Sequence, residues 1–151
     1  MLQRRQTVFL LLALVLLVVA AFNAAFTFTG NDGRAVAQLS EFSLMGGAES
    51  NALYAVQGVM LLASAAMSLV AVGAYRNRRF QMRICRWTVF VILVYCAARV
   101  SCVVAIIHSL SLAPHANLSE ALPIIAGISV VLAYRGIRKD ERLVRDSYRI
   151  R

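Results

Sequence analysis

Arg99 is the residue whose type and position most clearly suggest a site, because it lies inside a long apolar run, residues 84–112. A charged side chain at the centre of a bilayer costs about 2.5–3.5 kcal/mol on insertion scales, so other polar groups must compensate it. The side chains expected to join Arg99 in an intramembrane polar cluster are Asn23, Gln57 and one of the two carboxylates Glu49 and Glu120. Such a cluster would be an ion or anion site, or else a structural link between helices; snorkelling of Arg99 to the outer interface is a third reading.

Other residue types that often carry chemistry form no convincing pattern. His108 and His115 stand seven residues apart around a proline, which even with Glu120 is a weak metal-binding signal. The cysteines all lie in or beside one apolar run, where core packing explains them better than disulfides or redox chemistry: Cys85, Cys96 and Cys102. We therefore expect no catalytic residues, no metal and no cofactor, and a protein that is not an enzyme.

The composition indicates a membrane protein. Hydrophobic residues make up 60% of the 151 and charged residues 15%, whereas soluble domains carry about 25% charged residues. About 20 apolar residues cross a hydrocarbon core as a helix, and four runs approach or exceed that length: residues 7–28, 53–75, 84–112 and 119–137. We therefore expect one integral membrane domain over residues 1–151, an all-α bundle of four transmembrane helices.

The basic residues predict the orientation of these spans. With both termini inside, fourteen of the sixteen lysines and arginines fall on the cytoplasmic side, and only Arg34 falls in an outer loop and Arg99 in a span. This asymmetry follows the positive-inside rule and predicts a multi-pass protein of the bacterial inner membrane. The middle loop and the tail then form a cytoplasmic basic surface, made of Arg76, Arg78, Arg79, Arg83, Arg86, Arg138, Lys139, Arg142 and Arg145.

The loop after the first run and the tail carry local signals of their own. Gly30-Asn31-Asp32-Gly33 is a turn signal between short apolar segments and predicts a small β-hairpin, and the alternation over Ser40–Leu44 predicts some further strand. In the tail, residues 138–151, Glu141 and Arg145 stand at i,i+4 beside an apolar stripe. We expect the fourth span to run on, or bend, into a basic amphipathic helix at the cytoplasmic surface.

Three segments together resemble one bacterial membrane family. They are the start, Met1–Leu12; the middle loop, Tyr75–Arg86; and the tail, Arg135–Arg145, of which the tail is the most specific. The chain resembles the family called domain of unknown function 4293 over nearly its whole length. That resemblance implies a four-span integral protein of Gram-negative inner membranes, and it implies no particular activity, ligand or site residue.

Two function classes fit these features. The first is a non-enzymatic scaffold or accessory subunit that presents the cytoplasmic basic surface to a partner protein. The alternative is a small oligomeric transporter or channel that uses the polar cluster around Arg99, since four helices alone rarely enclose a pore. The basic residues also predict contact with anionic lipid headgroups, and self-association stays open. A nucleic acid partner is not expected, because topology already accounts for many of the arginines.

Overall fold

The computed structural model of the protein describes residues 2–23, 26–29, 35–40, 44–45, 52–74, 77–110 and 113–149. The elements in chain order are α1 (Leu2–Phe22), β1 (Phe26–Thr29), β2 (Ala35–Leu39), β3 (Leu44–Met45), α2 (Ala52–Gly73), α3 (Arg78–Leu110), β4 (Ala113–Ala116), a 3-10 turn (Leu118–Glu120) and α4 (Ala121–Arg149). The described chain is thus mostly helical, with four long helices and one small sheet.

The four helices pack as a ring in which each contacts two neighbours: α1 packs against α2 and α4, and α3 packs against α2 and α4. Successive helices run in opposite directions. At one end, the basic end, α1 and α3 begin and α2 and α4 finish, as the hydrogen bonds from Gln6 to Asp140 and from Gln81 to Ala71 show. The small sheet lies at the opposite end, which we call the sheet end.

Small and aliphatic side chains fill the ring, while larger apolar side chains face outward. On α1, Leu10, Ala13 and Leu17 are buried at helical spacing, whereas Val8 and Val15 are exposed. Three helices are long and apolar enough to cross a membrane, Tyr54–Gly73, Arg78–His108 and Leu118–Leu143, and the apolar part of α1 with described side chains, Gln6–Phe22, is shorter. An apolar core inside an apolar outer face is the pattern of a membrane protein.

The sheet is antiparallel, with strand order β3-β2-β1-β4. β1 and β2 form the predicted hairpin, although its turn lies outside the described residues. β4 was not predicted; it pairs with β1 so that Phe28 faces Pro114 across the ladder. Phe28 and Leu39 are buried with Tyr54 of α2 and Ile106 of α3, and this second apolar cluster fixes the sheet onto the helices.

Several predicted boundaries need correction. The first helix ends at Phe22 instead of Phe28, because Phe26–Thr29 alternates phenylalanine and threonine with the period of two that a strand requires. The third begins at Arg78 instead of 84, where Asn77 Oδ1 accepts a hydrogen bond from the Phe80 amide as an N-cap. The all-α fold class is wrong in one respect, since the sheet has four strands. The fourth helix does run on through the tail, to Arg149.

A buried polar contact joins α1 to α4 at the basic end. Gln6 Nε2 donates to Asp140 Oδ2 at 2.6 Å, and both side chains are buried. Gly136 lies one turn before Asp140, and a Cβ atom placed there would come within 3.0 Å of Gln6 Cγ. The missing side chain at Gly136 therefore provides the room through which Gln6 reaches Asp140.

Replacing Gly136 with leucine should displace Gln6 and destabilise the contact between α1 and α4. Overpacking of this kind costs about 1–3 kcal/mol, which unfolding in mixed detergent micelles with increasing dodecyl sulfate would detect. Gly73→Leu is the matched control, because a Cβ atom at Gly73 meets nothing within 4 Å. Equal unfolding midpoints for the two variants would contradict this account.

Candidate functional site

Arg99 is fully buried near the sheet end, where α2 and α3 pack together. Its Nη1 donates to Gln57 Oε1 at 3.1 Å. The amide of Gln57 is held in turn by α3, because its Nε2 lies 3.3 Å from the Ala98 carbonyl oxygen and 2.8 Å from Cys102 Sγ. Gln57 thus links α2 to α3. Its side-chain oxygen accepts a hydrogen bond from Arg99, and its amide nitrogen donates to the Ala98 carbonyl oxygen and to the Cys102 thiol.

Glu120 supplies the negative charge that balances Arg99. Its Oε2 lies 3.5 Å from Arg99 Nε, and its side chain is about a quarter exposed. The 3-10 turn that carries Glu120 follows β4 directly, and Asn117 Nδ2 donates to Thr27 Oγ1 of β1 at 3.2 Å. A buried charge is tolerated only when it is paired and hydrogen-bonded. By fixing the turn after β4, the sheet holds the Glu120 carboxylate close to the Arg99 guanidinium.

The sequence-predicted cluster is therefore assembled in part. Gln57 and Glu120 contact Arg99 as expected. Asn23 makes no hydrogen bond to any of these three; it is exposed, and its Nδ2 bonds to the Val19 carbonyl oxygen at 2.6 Å, which finishes α1. Glu49 lies outside the described residues. We did not predict Cys102, although its position three residues after Arg99 places both on one face of a helix.

The space beside this cluster is small. A cavity of about 100 Å³ is lined by Arg99, Glu120, Phe26 and three valines of α3. Since one water occupies about 30 Å³ of liquid, the cavity has room for about three waters. Its lining is mainly apolar apart from the ion pair itself. The arrangement links α2, α3 and the turn before α4 into one unit, and it offers little room for a passing solute.

The Arg99 cluster lies toward the sheet end, far from the contact between Gln6 and Asp140. Glu120, the partner of Arg99, is twenty positions before Asp140 along the same turn and helix, and at a rise of about 1.5 Å per residue the two carboxylates are about 30 Å apart. That separation matches the thickness of a hydrocarbon core. The structure therefore carries one buried polar contact toward each end of the ring, and sequence reasoning missed the one between Gln6 and Asp140 because 134 residues separate them.

The histidines and cysteines that the sequence offered as candidates do not come together in one site. His108 on α3 and His115 on β4 are exposed. Within the part of the chain that the structure describes, no group of three or more His, Cys, Asp or Glu side chains is placed to hold a metal. The three cysteines lie along α3, all as free thiols, with Cys85 buried and the other two half-buried. Nothing in these positions resembles a nucleophile with a base.

The predicted cytoplasmic basic surface is brought together by two helices. Its described side chains come from the first turns of α3 and the last turns of α4, and nearly all are exposed: Arg78, Arg79, Arg83, Arg86, Arg138, Lys139 and Arg142. Arg79 Nε lies 3.8 Å from Glu141 Oε1, so the two segments meet. Exposed Arg135 was not predicted as part of this surface. Arg76 and the side chain of Arg145 lie outside the described residues.

The family model described as Domain of unknown function (DUF4293) matches residues 2–150. No curated protein matches the chain. The match covers all three segments that suggested the resemblance.

Replacing the Glu120 carboxylate with a neutral amide should lower the free energy of unfolding. Glu120→Gln removes the carboxylate that is paired with the buried guanidinium of Arg99, and breaking a buried pair in this way costs about 3 kcal/mol or more in unfolding free energy. Glu141→Gln is the matched control, because its partner Arg79 is 85% exposed, and pairs of that kind contribute less than about 1 kcal/mol. Unfolding in mixed micelles measures both, and equal losses would show that the pairing of Arg99 has no special weight.

Proposed function

The chain belongs to the DUF4293 family, and from this premise we propose that it is a non-enzymatic accessory subunit of the bacterial inner membrane, which docks a partner protein on its cytoplasmic basic surface. The observation that carries the proposal is the convergence of two separate basic segments at one end of the helices, in contact through Arg79 and Glu141. The partner surface that fits is acidic and lies close to the membrane.

The proposed placement has four spans. The apolar part of α1 with described side chains, Gln6–Phe22, has 17 residues and α2 has 22, which at about 1.5 Å per residue gives roughly 26 Å and 33 Å, near the thickness of a hydrocarbon core. α1 is the shortest apolar helix, yet it packs along α4 and binds it through Gln6 and Asp140. A helix held in this ring crosses the membrane together with the others.

The orientation in this proposal puts the basic end in the cytoplasm. Lysine and arginine near span ends stay on the cytoplasmic side, and this end carries every described basic side chain except Arg99. α3 and α4, with 33 and 29 residues, are about 50 Å and 43 Å long, and both are longer than the core needs. At the basic end this extra length carries the arginines out of the bilayer, where a partner can reach them.

A transporter built on the Arg99 cluster has weaker support. The guanidinium is bound by Gln57 and paired with Glu120, so its charge is already compensated within the chain. The neighbouring cavity of about 100 Å³ is too small for a continuous path. A structural link is the better account of Arg99.

Reporter fusions test the placement. Alkaline phosphatase is active only outside the cytoplasm, so fusions after Ser40 and Asn117 should be active and fusions after Asn77 and Arg149 inactive. A fluorescent protein that matures only in the cytoplasm should give the reverse pattern at the same four sites. Activity of alkaline phosphatase after Arg149 would rule out the four-span orientation.

In-cell photocrosslinking tests the partner. A photoreactive amino acid at Phe80 or Leu143, both exposed at the basic end, should capture the same protein, whereas one at Leu118, 86% exposed at the sheet end, should not. Replacing Arg138 and Arg142 together with glutamine should weaken capture at least about fivefold, and the charge-conserving lysine pair should largely restore it. Lipid adducts or self-crosslinks alone from both positions would refute the accessory-subunit role.

A further inference from the structure

An apolar groove runs between α3 and α4 on the outer face of the ring. It has a volume of about 470 Å³, and its walls include Val89, Leu93 and Cys96 from α3 and Ile128 and Val131 from α4. Gly127 has no side chain to fill the groove, and a Cβ atom placed there would lie 3.4 Å from Ile92 Cγ2. The volume falls within the range of about 300–1,000 Å³ typical of ligand clefts.

The groove has one charged residue in its lining, and this residue stands at one end. Arg135 lies at the end nearest the basic end, while every other lining residue is apolar or a cysteine. Arg86 lies one turn before Val89 on α3, and Arg138 and Lys139 lie one turn beyond Arg135 on α4. These side chains are exposed. An apolar slot therefore opens onto a cluster of positive charge.

We propose that this groove is a binding site for one anionic phospholipid of the cytoplasmic leaflet, with an acyl chain in the slot and the phosphate on Arg135. The proposal rests on the membrane placement proposed above and is independent of any partner protein. It goes beyond general attraction of basic residues to anionic headgroups, because it assigns a defined slot to the chain and a defined arginine to the phosphate.

The dimensions of the groove match a lipid of one leaflet. Its α4 wall extends from Ile124 to Arg135, eleven positions or about 16 Å along the helix. Half of a hydrocarbon core of about 30 Å has nearly the same depth. Arg135 lies five positions before Asp140 on α4, or about 7 Å deeper, and an arginine at that depth directs its guanidinium to the headgroup level along its long side chain. Arginine binds phosphate oxygens through two parallel hydrogen bonds.

The local charges favour a phosphate at this place. The described acidic side chains at the basic end are Asp140 and Glu141. Asp140 is buried and accepts from Gln6 on α1, and Glu141 pairs with Arg79. Asp140 is thus engaged by α1, and Glu141 is paired with Arg79, while Arg86, Arg135, Arg138 and Lys139 place four positive charges around the mouth of the groove, so the net charge of these described residues is positive.

A second copy of the chain fits the groove less well than a lipid does. Two copies in one membrane share their orientation, so a symmetric dimer through this face would bring residues of equal depth together. Arg135 would then approach Arg135 of the partner copy, and like charges at an interface are costly. A helix is also about 10 Å across, which is wide for a slot between two adjacent helices.

The test uses the full-length protein in phosphatidylcholine nanodiscs that contain a small fraction of phosphatidylglycerol with a diazirine in its acyl chain. After illumination, peptide mapping should place adducts on residues 89–96 and 124–132 well above those on the outer face of α1, which any lipid contacts. Unlabelled phosphatidylglycerol should compete with the probe, and unlabelled phosphatidylcholine should not. The same diazirine on phosphatidylcholine should give no such enrichment.

Two variants and two controls sharpen the result. Arg135→Gln should weaken the competition by phosphatidylglycerol about tenfold, the effect of losing one charge-assisted contact, and Val131→Phe should remove the enrichment by filling the slot. The controls are Arg83→Gln, at a similar height on another face of α3, and Val15→Phe, on the outer face of α1. They should change neither the competition by phosphatidylglycerol nor the enrichment of adducts in the groove.

Three outcomes would overturn the proposal. Equal enrichment with both probe lipids would mean that the groove does not select an anionic headgroup. Adducts spread evenly over all four helices would mean that no site exists. Adducts absent from the groove, with Val131→Phe lowering the oligomeric mass, would mean that a second copy fills it. A protein outside the bilayer would take up neither probe, so a failure of the membrane placement is distinguishable from all three.

Discussion

Burial of the Arg99 charge is the constraint on which most of the sheet end depends. Its guanidinium needs an acceptor, supplied by Gln57 of α2, and a counter-ion, supplied by Glu120 before α4. Glu120 in turn needs a fixed turn, which β4 and the contact between Asn117 and Thr27 provide. β4 needs β1 as its neighbour, and β1 and β2 need the apolar cluster around Phe28. The position of each element at the sheet end thus depends on the next, and the first of these dependences is the pairing of the Arg99 charge.

The distribution of polar contacts explains how the helices keep their relative height. Between the two ends of the ring, Ser64, Ser68, Thr88 and Ser129 donate to carbonyl oxygens of their own helices, so these hydrogen bonds do not specify a neighbour. Toward the ends, Arg99 links helices at one end, and Gln6 and Gln81 link helices at the other. In the proposed placement apolar contacts carry no hydrophobic driving force, so these polar contacts add to packing in setting the register.

Sequence alone predicted the features that depend on local composition. Apolar runs gave the four helices, Gly30-Asn31-Asp32-Gly33 gave the hairpin, and the need to compensate Arg99 identified Gln57 and Glu120 in advance. It did not predict β4, because Ala-Pro-His-Ala has no strand signal apart from the pairing that β1 offers. Asp140 looked like one more charge in a solvated tail, and its burial depends on Gln6 and on the space at Gly136. Asn23 was assigned by depth, yet a nearby carbonyl oxygen at the end of its own helix competes successfully for its amide.

The order of Arg99 and Glu120 along the chain has a consequence for biogenesis. Glu120 is 21 residues behind Arg99, and a ribosome adding about 5–20 residues per second needs roughly one to four seconds to reach it. During that interval Arg99, exposed to lipid in the proposed placement, would lack the carboxylate of Glu120. Delivery of α3 and α4 as a helical hairpin avoids this exposure, because the carboxylate then arrives with the charge that it neutralises. In the proposed placement the short chain separation of Arg99 and Glu120 thus favours insertion, and β1 can pair with β4 once α3 has carried β4 to the sheet end.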